Sequence, residues 1–330
     1  MPRRAAVVDL GSLAVRLHIA EAQEPVQAGA CGPFRTLHEE RRIARLAQGL
    51  ARGKNLSPGA QERAMEVLRG FQRAIGRFGV EREMTRVVAT EALRKARDGP
   101  AFARRVEGET GIPTRILSPE EEARWTAHGA LLSAPGLSRP LLIADPGGGS
   151  LEVIWVEAEG AEQQGPPPRW SSQPLGTLEV LRRASPGSPA GPEALARLEA
   201  ELDREVGGVV RRLAPSGRGE KALWVTGGTA LNMAAMLRRM SLERIRGLPP
   251  MAFSRKEVES LYRRLASCDW RTRRREPYLE RGREDVIVPG LAVIRALLAA
   301  SGAGFLTVTA FGLREGILSA LLSGGGRQVG

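Results

Sequence analysis

Apolar and polar positions along the chain switch repeatedly between a period of two and a period near 3.6, which predicts alternating strands and helices. Residues 5–10 form an apolar run that stops at Gly11, after which Val15, Leu17 and Ile19 alternate with Arg16 and His18. The first turn therefore joins two antiparallel strands. Residues 56–78 have helical spacing, with Ser57 as N-cap, Pro58 at the first helical position and Ala64, Val67, Leu68 and Phe71 on one face. Val87-Val88-Ala89 reads as a short strand, 90–97 and 100–110 as helices, and 114–117 as another strand. Ser118-Pro119-Glu120-Glu121 opens a further helix with the capping-box spacing.

The theme then repeats. Residues 133–140, rich in Gly, Pro and Ser, read as a hinge. Residues 141–144 form a second apolar run ending at glycines, and Leu151, Val153 and Trp155 follow as the return strand. Residues 157–173, which include Gly165-Pro166-Pro167-Pro168, lack periodicity and are expected to form a flexible surface loop. Helix 193–213, strand 222–225, helix 230–239, an arginine-dense loop at 271–283, helix 289–300, strand 306–308 and helix 312–322 complete the chain, before a loose tail at 324–330. Alternating strands and helices indicate an α/β fold.

Composition narrows the class. A chain of 330 residues exceeds the usual single core and suggests two domains with a cleft. No apolar stretch is long enough to span a bilayer, and the run after Met1-Pro2-Arg3-Arg4 ends at Asp9, too soon for a signal-peptide core. The expectation is a cytoplasmic protein without membrane contact. Cys31, Cys268, His18, His38 and His128 are scattered, so neither a structural zinc nor a disulfide framework is expected. The net charge of +12 favours an anionic partner, although almost all of it is arginine, with lysine only at 54, 95, 221 and 256, as a codon bias would produce. Trp155, Trp170, Trp224 and Trp270 are not interleaved with basic residues as a stacking platform requires, so nucleic acid is not expected.

The candidate chemistry lies in the glycine turns. Asp9-Leu10-Gly11-Ser12 and Asp145-Pro146-Gly147-Gly148-Gly149-Ser150 each leave an apolar run, and glycine there lets main-chain N–H groups approach an anion. Thr226-Gly227-Gly228-Thr229 presents a helix N-terminus, a third anion site. None has the lysine of a Walker loop.

Together with Arg45-Leu46, Gly49-Leu50, Ala89-Thr90-Glu91-Ala92-Leu93-Arg94, Glu121-Glu122-Ala123-Arg124, Val288-Pro289-Gly290 and Gly312-Leu313-Arg314-Glu315-Gly316, these turns resemble the exopolyphosphatase and guanosine pentaphosphate phosphatase family. That family lies within the actin, sugar-kinase and heat-shock ATPase superfamily. The resemblance implies two actin-like, ribonuclease H-like domains with mixed sheets flanked by helices and a cleft between them. The expected boundaries are 1–132 and 138–311, with helix 312–323 packing back on the first domain. It also implies the short form, without an appended metal-dependent phosphohydrolase domain.

The implied activity is magnesium-dependent release of terminal phosphate from inorganic polyphosphate, and from guanosine pentaphosphate, in a bacterial enzyme. Glu122 matches the water-activating glutamate, with Glu121 as cap partner, and Arg94 matches the phosphate-clamping arginine, whose planar fork holds two oxygens. Asp145, Glu152 and Asp9 match the magnesium side, where hard carboxylate oxygens suit the ion. Gly11, Ser12, Gly147, Gly148, Gly149, Ser150, Gly227, Gly228 and Thr229 match the phosphate-binding positions; for Thr229 a purely structural turn is an equal alternative. Arg314 and Glu315 read as structural, and 271–283 as either a polyphosphate path or a solvated loop. Leu13, Ala14 and Leu151 replace polar residues usual in the family, predicting weaker phosphate binding. The alternative function is a regulatory binder of guanosine penta- or tetraphosphate. A homodimer is the default assembly.

Overall fold

The computed structural model describes residues 2–23, 33–48, 50, 55–133, 140–157, 168–184, 191–214 and 221–324. Gly49, Cys31, most of the 133–140 hinge, residues 158–167 of the expected loop and the tail from 325 lie outside the described residues. The first elements are β1 (Arg4–Leu10), β2 (Ala14–Ala22), β3 (Phe34–Ile43), α1 (Pro58–Arg77), β4 (Thr85–Ala89), α2 (Glu91–Lys95), α3 (Gly99–Thr110), β5 (Thr114–Ile116) and α4 (Pro119–Leu132). There follow β6 (Leu141–Pro146), β7 (Leu151–Val156), β8 (Arg169–Gln173), α5 (Thr177–Arg183), α6 (Pro192–Leu213), β9 (Ala222–Val225), α7 (Gly227–Arg238) and α8 (Leu242–Arg246). The last are β10 (Met251–Ser254), α9 (Arg255–Ala266), α10 (Trp270–Arg273), α11 (Ile287–Ser301), β11 (Phe305–Val308) and α12 (Leu313–Leu322).

The chain divides into two compact units, Met1–Leu132 with Leu313–Gly330, and Ser133–Gly312. In the first, the sheet runs β3-β2-β1-β4-β5; in the second it runs β10-β11-β9-β6-β7-β8. Hairpins β1–β2 and β6–β7 are antiparallel, whereas β4 beside β1 and β9 beside β6 are parallel. Apart from β10, the second sheet thus repeats the first, with an antiparallel edge strand, a central hairpin and two parallel strands. Strands β1 and β6 are central and almost wholly buried, which is why they read as unbroken apolar runs.

Each unit has its own core. In the first, Val8, Leu10 and Leu17 pack with Leu68, Phe71, Phe102 and Val106 from α1 and α3. In the second, Leu142, Val153 and Trp155 pack with Leu202, Val206, Leu291 and Leu297 from α6 and α11. Helix α1 begins as its sequence indicates: the Ser57 hydroxyl accepts the Ala60 N–H and Pro58 occupies the first turn. At the start of α4 the Glu121 N–H donates to Ser118 Oγ at 3.1 Å, while the Ser118 N–H donates to the Glu121 carboxylate at 2.8 Å. This reciprocal box commits Glu121 to capping.

Helix α12 packs on α4 and β1. Two features fix it. Gly316 lies against α4 so closely that a Cβ there would sit 2.2 Å from the Trp125 carbonyl oxygen. Arg314 and Glu315, at its start, join a buried group with β2 and β3. His18 Nδ1 lies 2.9 Å from Glu315 Oε1 and 3.6 Å from Glu39 Oε1, Arg314 Nη2 lies 3.3 Å from each of those oxygens, and Thr36 Oγ1 meets His18 Nε2 at 2.9 Å. Arg314 and Glu315 are thus both engaged in buried polar contacts with β2 and β3.

The structure departs from the pattern at several points. Residues 169–173 are not loop but strand β8, paired with β7. Residues 34–43, to which the pattern gave no element, form β3 along β2. Helix α11 begins at Ile287, so Pro289 lies inside its first turn rather than at its start. Strands β3 and β8, and β10, which the pattern also did not indicate, are all sheet edges, where solvent reaches the side chains and the apolar alternation weakens.

The close approach at Gly316 makes a prediction. Gly316→Ala has no room against the Trp125 carbonyl and is expected to destabilise the protein by about 1–3 kcal/mol. A lowered urea midpoint with unchanged slope would show it, and an unchanged midpoint would mean that α12 can shift freely on α4.

Candidate active site

In the first unit the candidate residues gather at the carboxyl ends of β1 and β4, the usual position for ligands in open α/β sheets. Arg94, on α2, and Glu122, on α4, meet there: Arg94 Nη1 donates to Glu122 Oε2 at 2.6 Å and to the Leu117 carbonyl at 2.9 Å. Glu122 is buried. The guanidinium therefore sets the orientation of the carboxylate, using one nitrogen, and Nε and Nη2 make no bond to the described residues. Beside them, Ser12 Oγ is 3.4 Å from Glu91 Oε2, and Lys95 pairs with Glu91.

Asp9 lies opposite Arg16 in the hairpin register, and Arg16 Nη2 is 2.5 Å from Asp9 Oδ2. The expected metal-side aspartate thus already faces a cation, although both its buried oxygens lack a hydrogen bond. In the second unit the matching register sets Asp145 opposite Glu152. Where the first hairpin pairs a carboxylate with a guanidinium, the second opposes two carboxylates, which concentrates negative charge on one face. Glu152 accepts a hydrogen bond from Ser172 Oγ at 2.9 Å. Two hard-oxygen donors on one face of a rigid hairpin fit a divalent cation such as magnesium, so the donor set is better in the second unit than at Asp9. A further group, His18, Glu39 and Glu315, has ligand atoms close enough for a metal. There the Arg314 guanidinium already occupies the cation position, which makes that group a poor metal site.

The second glycine turn is built as an amide nest. The Gly147 N–H closes the turn on the Ser150 carbonyl at 2.9 Å, as the Gly11 N–H does on Ala14 at 3.2 Å. Those two amides are therefore spent inside their own turns, against the expectation that they hold phosphate. The carbonyls of Gly147, Gly148 and Gly149 accept N–H groups from Thr177, Leu178 and Gly176 at 2.9, 2.8 and 3.2 Å. With its acceptors all held by the start of α5, the turn leaves the N–H groups of Gly148, Gly149 and Ser150 without a partner among the described residues. A run of such donors is an anion nest.

The third turn adds a helix N-terminus. Gly227 has φ +85°, and a Cβ there would lie 2.2 Å from Asp145 Oδ1, so only glycine lets α7 start this near the aspartate. The Arg283 guanidinium lies over Gly228, whose own Cβ would be 1.9 Å from Arg283 Nη2. Arg283 pairs with Glu280 at 3.0 Å, and the Glu280 N–H donates to Asn232 Oδ1, tying this segment to α7. Thr229 turns inward: its hydroxyl is buried without a hydrogen bond beneath Gly290 of α11, which favours the structural reading of its side chain.

Several of these residues escape sequence reading. Arg16 is disguised as an ordinary polar position of an alternating strand, and Arg283 as one of many arginines. Gly176 follows Leu175 and carries no local signal beyond Gly itself. The family departures also look different in place. Leu13 is buried and its carbonyl accepts the N–H groups of Ala44 and Arg45, while Leu151 is a core residue of the second unit. Both are packing positions here.

A repeated open sheet with a glycine turn at the end of its central hairpin in each unit defines the actin-like fold class. Residues 25–324 match the model of the Ppx/GppA phosphatase family, so the chain belongs to that family and is a hydrolase acting on phosphoanhydride bonds. Solved structures agree in fold. An exopolyphosphatase from Cytophaga hutchinsonii superposes with a TM-score of 0.83 at 20% identity, covering 98% of each chain. The PPX-GPPA enzyme of Aquifex aeolicus gives 0.76 at 23% identity, covering 97% of this chain and 100% of that one.

The clasp on the amide nest can be tested at Gly176. A Cβ there would lie 2.2 Å from the Gly149 carbonyl carbon, a backbone atom that cannot swing aside. Gly176→Ala is expected to raise the KM for a phosphate substrate by roughly tenfold or more while the fold survives, since small misplacements of positioning groups are costly. An unchanged KM would show that the clasp does not set the nest.

Proposed function

We propose that this protein is a magnesium-dependent exopolyphosphatase that releases terminal phosphate from inorganic polyphosphate, with guanosine pentaphosphate as a second substrate, in the bacterial cytoplasm. The observation that carries the reading is the amide nest of Gly148, Gly149 and Ser150, which suits the oxygens of a phosphate group and lies in the same unit as Asp145 and Glu152. Asp145 and Glu152 would hold magnesium, whose charge would neutralise the phosphate oxygens when bound. Glu122 accepts a proton from the attacking water; Arg94 holds its carboxylate in place and offers its remaining nitrogens to a phosphate oxygen. The N-terminus of α7 and Arg283 add positive potential where charge builds up on the phosphoryl group.

The alternative, a regulatory binder of guanosine penta- or tetraphosphate, needs the same nest but has no use for a buried carboxylate oriented by a guanidinium. Phosphate release separates the two. Wild type is expected to release phosphate from polyphosphate in the presence of magnesium, and Glu122→Gln to lose about 10²–10⁴ in kcat with little change in KM. Full activity in Glu122→Gln would refute the assignment of the base, and tight binding of guanosine pentaphosphate without turnover of either substrate would establish the regulatory reading.

Cation dependence gives a second measurement. Asp145→Asn and Glu152→Gln should each raise the magnesium concentration needed for half-maximal activity, whereas Asp9→Asn should affect it less because Arg16 already pairs with that carboxylate. A larger effect at Asp9 than at Asp145 would reverse this assignment.

A further inference from the structure

The segment after α9 holds an exposed tryptophan among arginines. Trp270 is 46% exposed, the most exposed large apolar side chain of the described residues, and the Arg271 guanidinium lies 5.8 Å from its ring centroid. Arg274 and Arg275 follow, both exposed. A surface tryptophan could be a mere accident of a mobile loop, but this segment is nailed down. Asp269 caps α10 by accepting the Thr272 N–H at 2.8 Å. The buried Arg273 donates to the carbonyls of Leu265, Cys268 and Glu284 at 2.7 to 3.1 Å. One arginine thus serves as an internal anchor while its neighbours stay in solvent.

A groove adjoins this segment. About 410 Å³ in size, it has a floor of Met236, Leu237 and Leu261 and a basic rim of Arg239, Lys256 and Arg264. Arg264 pairs with Glu276 of the arginine-rich segment at 2.6 Å, which joins the two features into one surface. The acidic member of the rim, Glu257, is committed to the capping box of α9, where the Ser254 hydroxyl and N–H hold its carboxyl below the usual range. Arg239, Lys256, Arg271, Arg274 and Arg275 form no ion pair with the described carboxylates. Five exposed cations therefore lie on the rim of the apolar groove and on the adjoining segment that carries Trp270.

We propose that this surface of the second unit is a non-catalytic binding site for single-stranded nucleic acid. The phosphate turns are separate from it: Gly227 and Gly228 open α7, whereas Met236 and Leu237 lie near the end of that 12-residue helix, which is about 18 Å long. Unpaired cations track a phosphodiester backbone, and an exposed indole backed by a guanidinium stacks a base. A bare inorganic polyanion would use the cations but gain nothing from Trp270 or the apolar floor. The sequence expectation of no nucleic-acid partner rested on tryptophans not interleaved with basic residues; Trp270 is followed by Arg271, Arg274 and Arg275, and the Arg271 guanidinium lies against its ring.

The test is fluorescence anisotropy of a labelled single-stranded oligouridylate with the full-length protein across a salt series. Each neutralised phosphate contributes about −0.7 to the slope of log K against log salt, so a wild-type slope of roughly −2 to −3.5 is expected. Trp270→Ala should weaken binding by about tenfold with the slope kept, and Trp270→Phe should restore most of it. Arg274→Ser with Arg275→Ser should reduce the slope by about 1.4. A duplex of the same length, whose bases are already stacked, should bind more weakly than the single strand. The proposal is overturned if Trp270→Ala, shown by its melting curve to be folded, binds oligouridylate as wild type does. It is equally overturned if the protein binds inorganic polyphosphate on this surface but no single strand.

Discussion

The register of two hairpins governs the chemistry of this protein. In each unit an aspartate is the last residue but one of the outgoing strand, a tight turn is closed by a glycine N–H, and the return strand places one side chain directly across from the aspartate. Because side chains on a strand alternate faces, a slip of one residue would turn that partner away and leave the aspartate against an apolar neighbour. The two units share this geometry and differ in what occupies the facing position, Arg16 in one and Glu152 in the other. A guanidinium opposite Asp9 supplies a fixed positive charge. A second carboxylate opposite Asp145 concentrates negative charge there. One duplicated frame thus yields two complementary electrostatic environments by a single difference in residue type.

Close backbone approach makes the rest of the arrangement possible. Gly176 lets the start of α5 reach the carbonyls of the triple-glycine turn, Gly227 lets α7 begin against Asp145, and Gly228 leaves space for the Arg283 guanidinium. In each case a methyl group would collide with backbone or with a charged head group. The triple-glycine turn has its carbonyls held by the start of α5, while the N–H groups of Gly148, Gly149 and Ser150 have no partner among the described residues. Glu122 is positioned by similar means, since Arg94 is itself anchored on the Leu117 carbonyl.

The legible parts of the fold were those in which local chemistry and tertiary environment agree. Strands β1, β6 and β7 are buried on both faces and appear as apolar runs, and α1 and α4 carry their caps in the sequence at Ser57 and Ser118. Edge strands β3 and β8 went unseen because their partners supply the backbone bonds while solvent accepts their polar side chains. Helix α9 was overlooked although its capping box, Ser254 with Glu257, stands in the sequence. For the candidate site, the turns, Glu122 and Arg94 were visible as motifs, whereas the Arg94 contact with Glu122, spanning residues far apart along the chain, was not.

The sequence by itself determined the class of fold, the position of the three glycine turns and the carboxylates that flank them, because these depend on local backbone demands and on unbroken apolar runs. Only the tertiary structure decided which polar groups are already satisfied. It showed Gly11 and Gly147 closing their own turns, Leu13 and Leu151 serving as packing, Asp9 facing Arg16, Arg283 leaving the arginine run to sit over α7, and Trp270 held in solvent by the buried Arg273. The physical reason is that the hydrogen-bond and charge balance of a buried group is set by neighbours from other strands and helices. Nothing in the spacing of residues along one segment encodes which of those neighbours will arrive.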